Sequence, residues 1–149
     1  ALKELGKFAS EYHVRAIKKT SGIYAGSHLY NHFNAALLEE EELKEYQNRN
    51  AFELERVAGN RALPLFSYPH GQPTSCYNSY TNELLFSLGI RKIFSAYPAT
   101  NTKGNSRFYH RIGMDETIGD LASFRLKVGM MPIYRKAKGG DRIASTFAL

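Results

Sequence analysis

His28 and His32 are the residues of this chain whose type and spacing most directly suggest chemistry. On a helical turn, side chains four apart face the same way with Cβ atoms about 5–6 Å apart, which suits two ligands on one metal ion. Zinc binds imidazole nitrogen at ~2.0–2.1 Å, and a catalytic zinc commonly has three protein ligands plus a water. Position 29 is Leu, which argues against the His-Glu-x-x-His mechanism of zinc proteases, where the glutamate is the general base. Two histidines at this spacing also arise by chance as a solvated or capping pair. The setting singles this pair out: Gly26 and Ser27 precede it, Asn31 lies within it, and a short apolar stretch from Ser21 to Ala25 leads into it. Tyr68-Pro69-His70-Gly71 is a second place of this kind, with turn chemistry at the end of the apolar run Ala62 to Tyr68.

The remaining reactive side chains are less informative. Cys76 is the single cysteine, so an internal disulfide and a thiolate-rich zinc site are both excluded, and its polar loop lacks the histidine partner of a cysteine nucleophile. His13 sits among lysines on a helix and reads as solvated. His110, between Tyr109 and Arg111, is a weak candidate for a general acid.

The elements that would position these groups alternate. Apolar residues Leu37, Leu38, Leu43, Tyr46, Phe52, Leu54 and Val57 fall near helical spacing with Gly59 as a stop, and the run Ala62 to Tyr68 predicts a buried strand. Asn78 or Ser79 caps a second helix that ends at Gly89, and Ile90 to Tyr97 predicts another strand. Pro98 to Ser106 is a loop, Phe108 to Met114 a short strand, and Asp115 an N-cap for a helix toward Val128 with Gly129 after it. This order favours an α/β fold with a largely parallel sheet, whose chemistry collects at the carboxyl ends of the strands.

The 149 residues suit one domain spanning 1–149, and 43% hydrophobic content with 10 Tyr and 9 Phe supplies a core that disordered or collagen-like chains lack. No apolar run approaches the ~20 residues of a membrane-spanning helix, and Ala1 to Phe8 has no signal-peptide pattern. Ala1 to Phe8 reads like the middle of a helix, so a processed or trimmed front end is expected. The net charge of +6 concentrates in residues 91–149, which carry +7 against −4 in residues 39–60. That excess could attract a polyanion, but no zinc finger, basic zipper or unbroken Lys/Arg run accompanies it, so a solvated basic face is favoured over a nucleic-acid partner.

Taken in order, several segments resemble the polysaccharide deacetylase (NodB-homology) family. Gly26-Ser-His-Leu-Tyr-Asn-His32 resembles its metal-binding motif, and Glu39-Glu-Glu-Glu-Leu43 resembles the start of the helix that follows. Phe66-Ser-Tyr-Pro-His-Gly71 resembles the motif forming one wall of the sugar site. Leu84 to Ile90 and Arg111-Ile112 fit later strands, so the resemblance covers roughly residues 20–128. It implies a distorted (β/α) barrel and a metal-dependent hydrolase that removes N- or O-acetyl groups from a sugar. On this resemblance His28 and His32 hold a divalent metal, zinc foremost, while Tyr68, Pro69 and Gly71 line the substrate groove, the Gly71 region offering an N–H to an oxyanion. His70 and Arg111 are the catalytic candidates, His70 as a third ligand or a groove residue and Arg111 as the group that orients a carboxylate.

The departures from the family are specific. Its paired aspartates lie upstream of the histidines, whereas the only aspartates here are Asp115, Asp120 and Asp141, all downstream. Ser67 stands where many members have Arg and His70 where most have Tyr. The expected architecture is therefore a barrel lacking its first strand or strands, with an open edge that a second copy could cover. A non-catalytic carbohydrate-binding or scaffold remnant of the family is the alternative.

Overall fold

The computed structural model describes residues 10–99, 101, 107–111 and 120–137. Four strands, β1 (Ala25–Ser27), β2 (Ala62–Ser67), β3 (Lys92–Ser95) and β4 (Phe108–His110), form one sheet in the order β1-β2-β3-β4, and each neighbouring pair is parallel. Helices α1 (Glu11–Ala16), α2 (Glu40–Ala58), α3 (Ser79–Ser87) and α4 (Leu121–Ala137) complete the described elements. The α/β class expected from the alternation is present. The described strands form an open sheet with β1 and β4 at its edges.

α2 forms because Glu39 and Glu42 close a capping box, Glu39 N–H donating to Glu42 Oε2 at 2.9 Å, and because acidic residues fill the positive first turn. Leu43, Gln47 and Ala58 are its buried positions, and Gly59 ends it at φ +56°. Two residues expected on the apolar stripe behave otherwise: Leu37 precedes the helix, and both it and Phe52 are exposed. Asn78 caps α3 as expected, its Oδ1 accepting from Thr81 N–H at 2.9 Å.

Register decides which side of the sheet is core. Phe66, Ile93 and Phe108 lie side by side and are buried against Leu43 of α2 and Leu84 and Leu85 of α3. By strand alternation Leu65, Ser67, Lys92, Phe94 and Tyr109 occupy the opposite face, where they are only partly buried or exposed. A parallel sheet is ordinarily covered on both faces, so this side is half-finished among the described residues. At the carboxyl-terminal end, Asp115 lies outside the described residues. Asp120 Oδ1 accepts from Ser123 N–H at 2.7 Å at the head of α4. That helix continues past Gly129 to Ala137, since a glycine inside a helix costs only about 1 kcal/mol and does not by itself stop it. Among the described residues no helix is long and apolar enough to cross a membrane.

Candidate functional site

β1 delivers His28 to the carboxyl edge of the sheet and α2 fixes the point of delivery. The Ser27 hydroxyl donates to Gln47 Oε1 at 2.6 Å and accepts from Asn50 Nδ2 at 2.7 Å. Ser27 and Gln47 are 4% and 3% exposed, so this bond anchors the strand end to the helix out of water. Beyond His28 the chain does not make the helical turn expected from the spacing. Leu29, Asn31 and His32 have φ of +61°, +60° and +57°, a left-handed path that side-chain-bearing residues rarely take. Buried Leu29 anchors this path in the core. The path still brings the two imidazoles together, edge to face with centroids 4.8 Å apart.

β2 delivers the second loop, and most of it turns inward. Tyr68 was expected in a sugar groove, yet its ring is fully buried and stacks on Tyr77 with centroids 4.8 Å apart. Its hydroxyl donates to Asn82 Oδ1 at 2.8 Å and lies 3.0 Å from Thr81 Oγ1. Burial pushes the Tyr68 hydroxyl pKa up and keeps it neutral. Parity explains the placement: Tyr68 shares the core face of β2 with Phe66. Pro69 is also fully buried. The expected oxyanion role of Gly71 meets a further obstacle, because its N–H already donates to the Pro69 carbonyl at 2.6 Å. His70, at φ +61°, is the middle residue of that tight i to i+2 turn, the strained form of the γ-turn. Gly71 is required where it stands, since a Cβ there would come 2.4 Å from the backbone nitrogen of Ala96. Of the four residues, His70 alone is exposed.

His70 therefore joins the histidines of the other loop. Its ring meets that of His32 edge to face at 4.8 Å between centroids. His28 Nδ1–H donates to the Ser67 carbonyl at 2.6 Å, which leaves the Nε2 lone pair free. Loss of hydration lowers the His28 pKa below the usual histidine value, with lesser contributions from His32, Arg111 and His70, while the Ser67 carbonyl pulls the other way. The imidazole is thereby held neutral, the form that ligates. Arg111, just past β4, is exposed and donates from Nε to the Ser95 carbonyl at 2.9 Å. A cavity of about 200 Å³ lies beside His28, lined by Gly26, Leu65, Phe66, Ser67 and Phe94. The buried Ser67 hydroxyl in its wall has no hydrogen-bond partner among the described residues.

The other candidates stand apart. His110 Nδ1 lies 2.9 Å from Ser95 Oγ, and its ring meets Phe108 and Tyr97. By alternation it faces away from Arg111. His13 bonds to Ser10 at the start of α1. Cys76 is buried in the core. Sequence reasoning missed Ser27, Gln47, Asn50 and Ser67, although the alternation of Gly26, Ser27 and His28 along a strand already sends Ser27 toward the covering helix.

His28 and His32 are two imidazoles side by side, where a catalytic zinc commonly takes three protein ligands. A neutral histidine whose Nδ1–H is held by a backbone carbonyl is the usual outer-shell arrangement of a metal-ligating imidazole. Among the described residues, no group of three or more His, Cys, Asp and Glu side chains could hold a metal ion. Comparison of the chain with protein-family models, with curated proteins and with solved structures finds no match.

Proposed function

We propose that this chain carries the site of a metal-dependent hydrolase of the polysaccharide deacetylase type, which removes acetyl groups from N- or O-acetylated sugars. The observation that carries the reading is the pairing of His28 with His32 at the carboxyl end of β1, with Nδ1 of His28 tied to Ser67 and Nε2 left free. The strand order supports it. Parallel strands that follow one another without a reversal form an arc of the kind a (β/α) barrel closes, whereas doubly wound sheets reverse direction. On this reading the half-covered face bearing Leu65, Phe94 and Tyr109 is the barrel interior, and the histidines stand at its mouth.

His28 and His32 would hold the ion. When bound, a divalent metal supplies polarisation of the acetyl carbonyl and a water whose pKa falls toward ~7 in zinc sites. The chain's own residues do the positioning. Ser27, Gln47 and Asn50 fix the end of β1, the Ser67 carbonyl sets the His28 tautomer, and buried Leu29 holds the left-handed loop. Arg111 places a guanidinium just past the end of β4, suited to orienting a carboxylate.

One observation favours a second reading, a non-catalytic carbohydrate-binding remnant. The titratable groups acting on His28 are His32, Arg111 and His70, so among the described residues no carboxylate acts on it. Acetate release from N-acetylglucosamine oligomers, measured with the zinc-loaded chain and its His28→Ala/His32→Ala double variant, separates the two. Release by the wild type that vanishes in the double variant supports the hydrolase. Oligosaccharide binding without acetate release supports the remnant, and equal release by both proteins removes the site from the reaction.

A further inference from the structure

We infer that a cavity of about 640 Å³ on the α2 side of the sheet is a second binding site, taking a small apolar amine that also carries a carbonyl oxygen, and that its occupancy reaches His28 through Gln47 and Ser27. The site needs no metal and is independent of the role assigned to the histidines. The cavity follows one face of α2, where Gln47, Ala51, Leu54 and Glu55 recur at helical spacing. Leu63 and Pro64 at the start of β2 add apolar wall, and both are exposed. The volume falls within the ~300–1,000 Å³ of small-molecule sites, which combine apolar walls with a few placed polar groups.

Two polar groups set what the cavity would take. Gln47 is only 3% exposed, and its Oε1 accepts from the Ser27 hydroxyl at 2.6 Å. Its Nε2 makes no hydrogen bond among the described residues, and its remaining access is to the cavity that the side chain lines. An amide donor held this deep without an acceptor is costly, and a ligand carbonyl relieves that cost. At the other end, Glu55 is exposed and makes no ion pair among the described residues, although Glu53 and Arg56 beside it are paired. A ligand ammonium there gains an opposite charge and stays hydrated. Gln47 and Glu55 lie two turns apart on α2, a rise of about 12 Å, so a molecule bonded to both at ~2.9 Å holds its acceptor and its cation about 6 Å apart. Gln47 also holds Ser27, which immediately precedes His28. A carbonyl bonded to Nε2 polarises the same amide whose oxygen accepts from Ser27, which tightens the hold on the end of β1.

The test titrates the metal-free full chain with trans-4-(aminomethyl)cyclohexanecarboxamide, an apolar ring with an ammonium at one end and a carbonyl at the other. Cyclohexylmethylamine and cyclohexanecarboxamide, each lacking one polar end, are the matched probes. Calorimetry should show the bifunctional compound binding about tenfold more tightly than cyclohexylmethylamine, the worth of one hydrogen bond to a buried group. Its advantage over cyclohexanecarboxamide should be about three- to fivefold, the upper range for an exposed ion pair. Glu55→Gln should erase that second advantage. Ala51→Trp, which fills the cavity from an exposed position of α2, should abolish binding, with circular dichroism checking that the variant is folded. Glu55→Gln lies at an exposed position and decides the matter if the Trp variant does not fold. In nuclear magnetic resonance spectra, saturation should shift the Gln47 side-chain amide and the His28 ring. No saturable binding at millimolar concentrations, equal affinity for all three compounds, equal binding by folded Ala51→Trp, or an unmoved Gln47 amide overturns the site. Binding that leaves the His28 ring unmoved overturns the link to His28. None of these outcomes involves zinc or acetate release, so the proposed function is decided separately.

Discussion

The Nδ1–H of His28 donates to the backbone carbonyl of Ser67 at 2.6 Å, joining the last residue of β2 to the first residue beyond β1. One hydrogen bond thus sets both the position and the tautomer of the imidazole at the strand ends. It also links the two loops that carry the exposed histidines.

The first expected outcome concerns protonation. The pKa of His28 is lowered below the ordinary value of 6.5, chiefly by lost hydration, so the unfolded chain binds the extra proton more readily than the folded one. The stabilising contribution of this group is therefore complete above about pH 6.5 and is lost as the pH falls below that value. Nuclear magnetic resonance titration should place the His28 midpoint below 6.5. In denaturation experiments, His28→Asn should flatten the fall in stability on the acid side, and an unchanged slope would count against a depressed native pKa.

Tyr68 tests structural placement against ligand contact. Tyr68→Phe removes the hydroxyl that donates to Asn82 Oδ1 in the core and leaves a buried amide oxygen without that partner, a change worth about 1–3 kcal/mol. Urea denaturation should show a loss of that size. Oligosaccharide affinity and zinc affinity should stay at wild-type values, since the ring is fully buried. A selective loss of sugar binding with unchanged stability would return Tyr68 to the groove.

What the chain's residues disclose and what they conceal follows from the kinds of information each carries. The strands β2 and β3 and the helix capped by Asn78 were legible because each rests on local signals, an apolar run or a side chain that accepts a nearby N–H. The histidine pair was legible as a pair but not in its conformation. Spacing of four fits a helical turn, and only the anchoring of Leu29 in the core selects the left-handed path through Asn31 and His32. The contact between His32 and His70 joins residues 38 positions apart and depends on β1 and β2 being neighbours, which no local pattern encodes. Tyr68 and Pro69 resembled groove residues by motif. The burial of Tyr68 follows instead from strand parity with Phe66 and from its packing on Tyr77.

Gly71 provides the sharpest steric test. Gly71→Ala would place a methyl group 2.4 Å from Ala96 N and 2.8 Å from Ala96 Cβ, at a φ of +64° that alanine rarely adopts. Overpacking and left-handed strain each cost about 1–3 kcal/mol, so a destabilisation of about 3 kcal/mol or more is expected. Because Gly71 O also accepts from Ala96 N–H at 2.9 Å, the clash would separate the ends of β2 and β3 and carry His70 with them. Thermal unfolding should show the loss, and zinc affinity should weaken in the same variant. A fully stable Gly71→Ala protein would mean that the loop has another accessible path.

Arg111 links the far edge of the sheet to the histidines through charge. Its guanidinium is among the groups that lower the His28 pKa, acting from the strand end three places away in the sheet. Removing that charge in Arg111→Gln should raise the His28 titration midpoint, because the imidazolium then forms against less repulsion. Arg111→Lys keeps the cation but loses the Nε donor to the Ser95 carbonyl, so its midpoint should stay closer to that of the wild type. Raising the salt concentration should shrink the difference between wild type and Arg111→Gln, since an exposed charge is screened over a Debye length of about 8–10 Å at moderate ionic strength. If the His28 midpoint does not move in Arg111→Gln at low salt, Arg111 is not electrostatically coupled to the histidine site, and its assignment to that site fails.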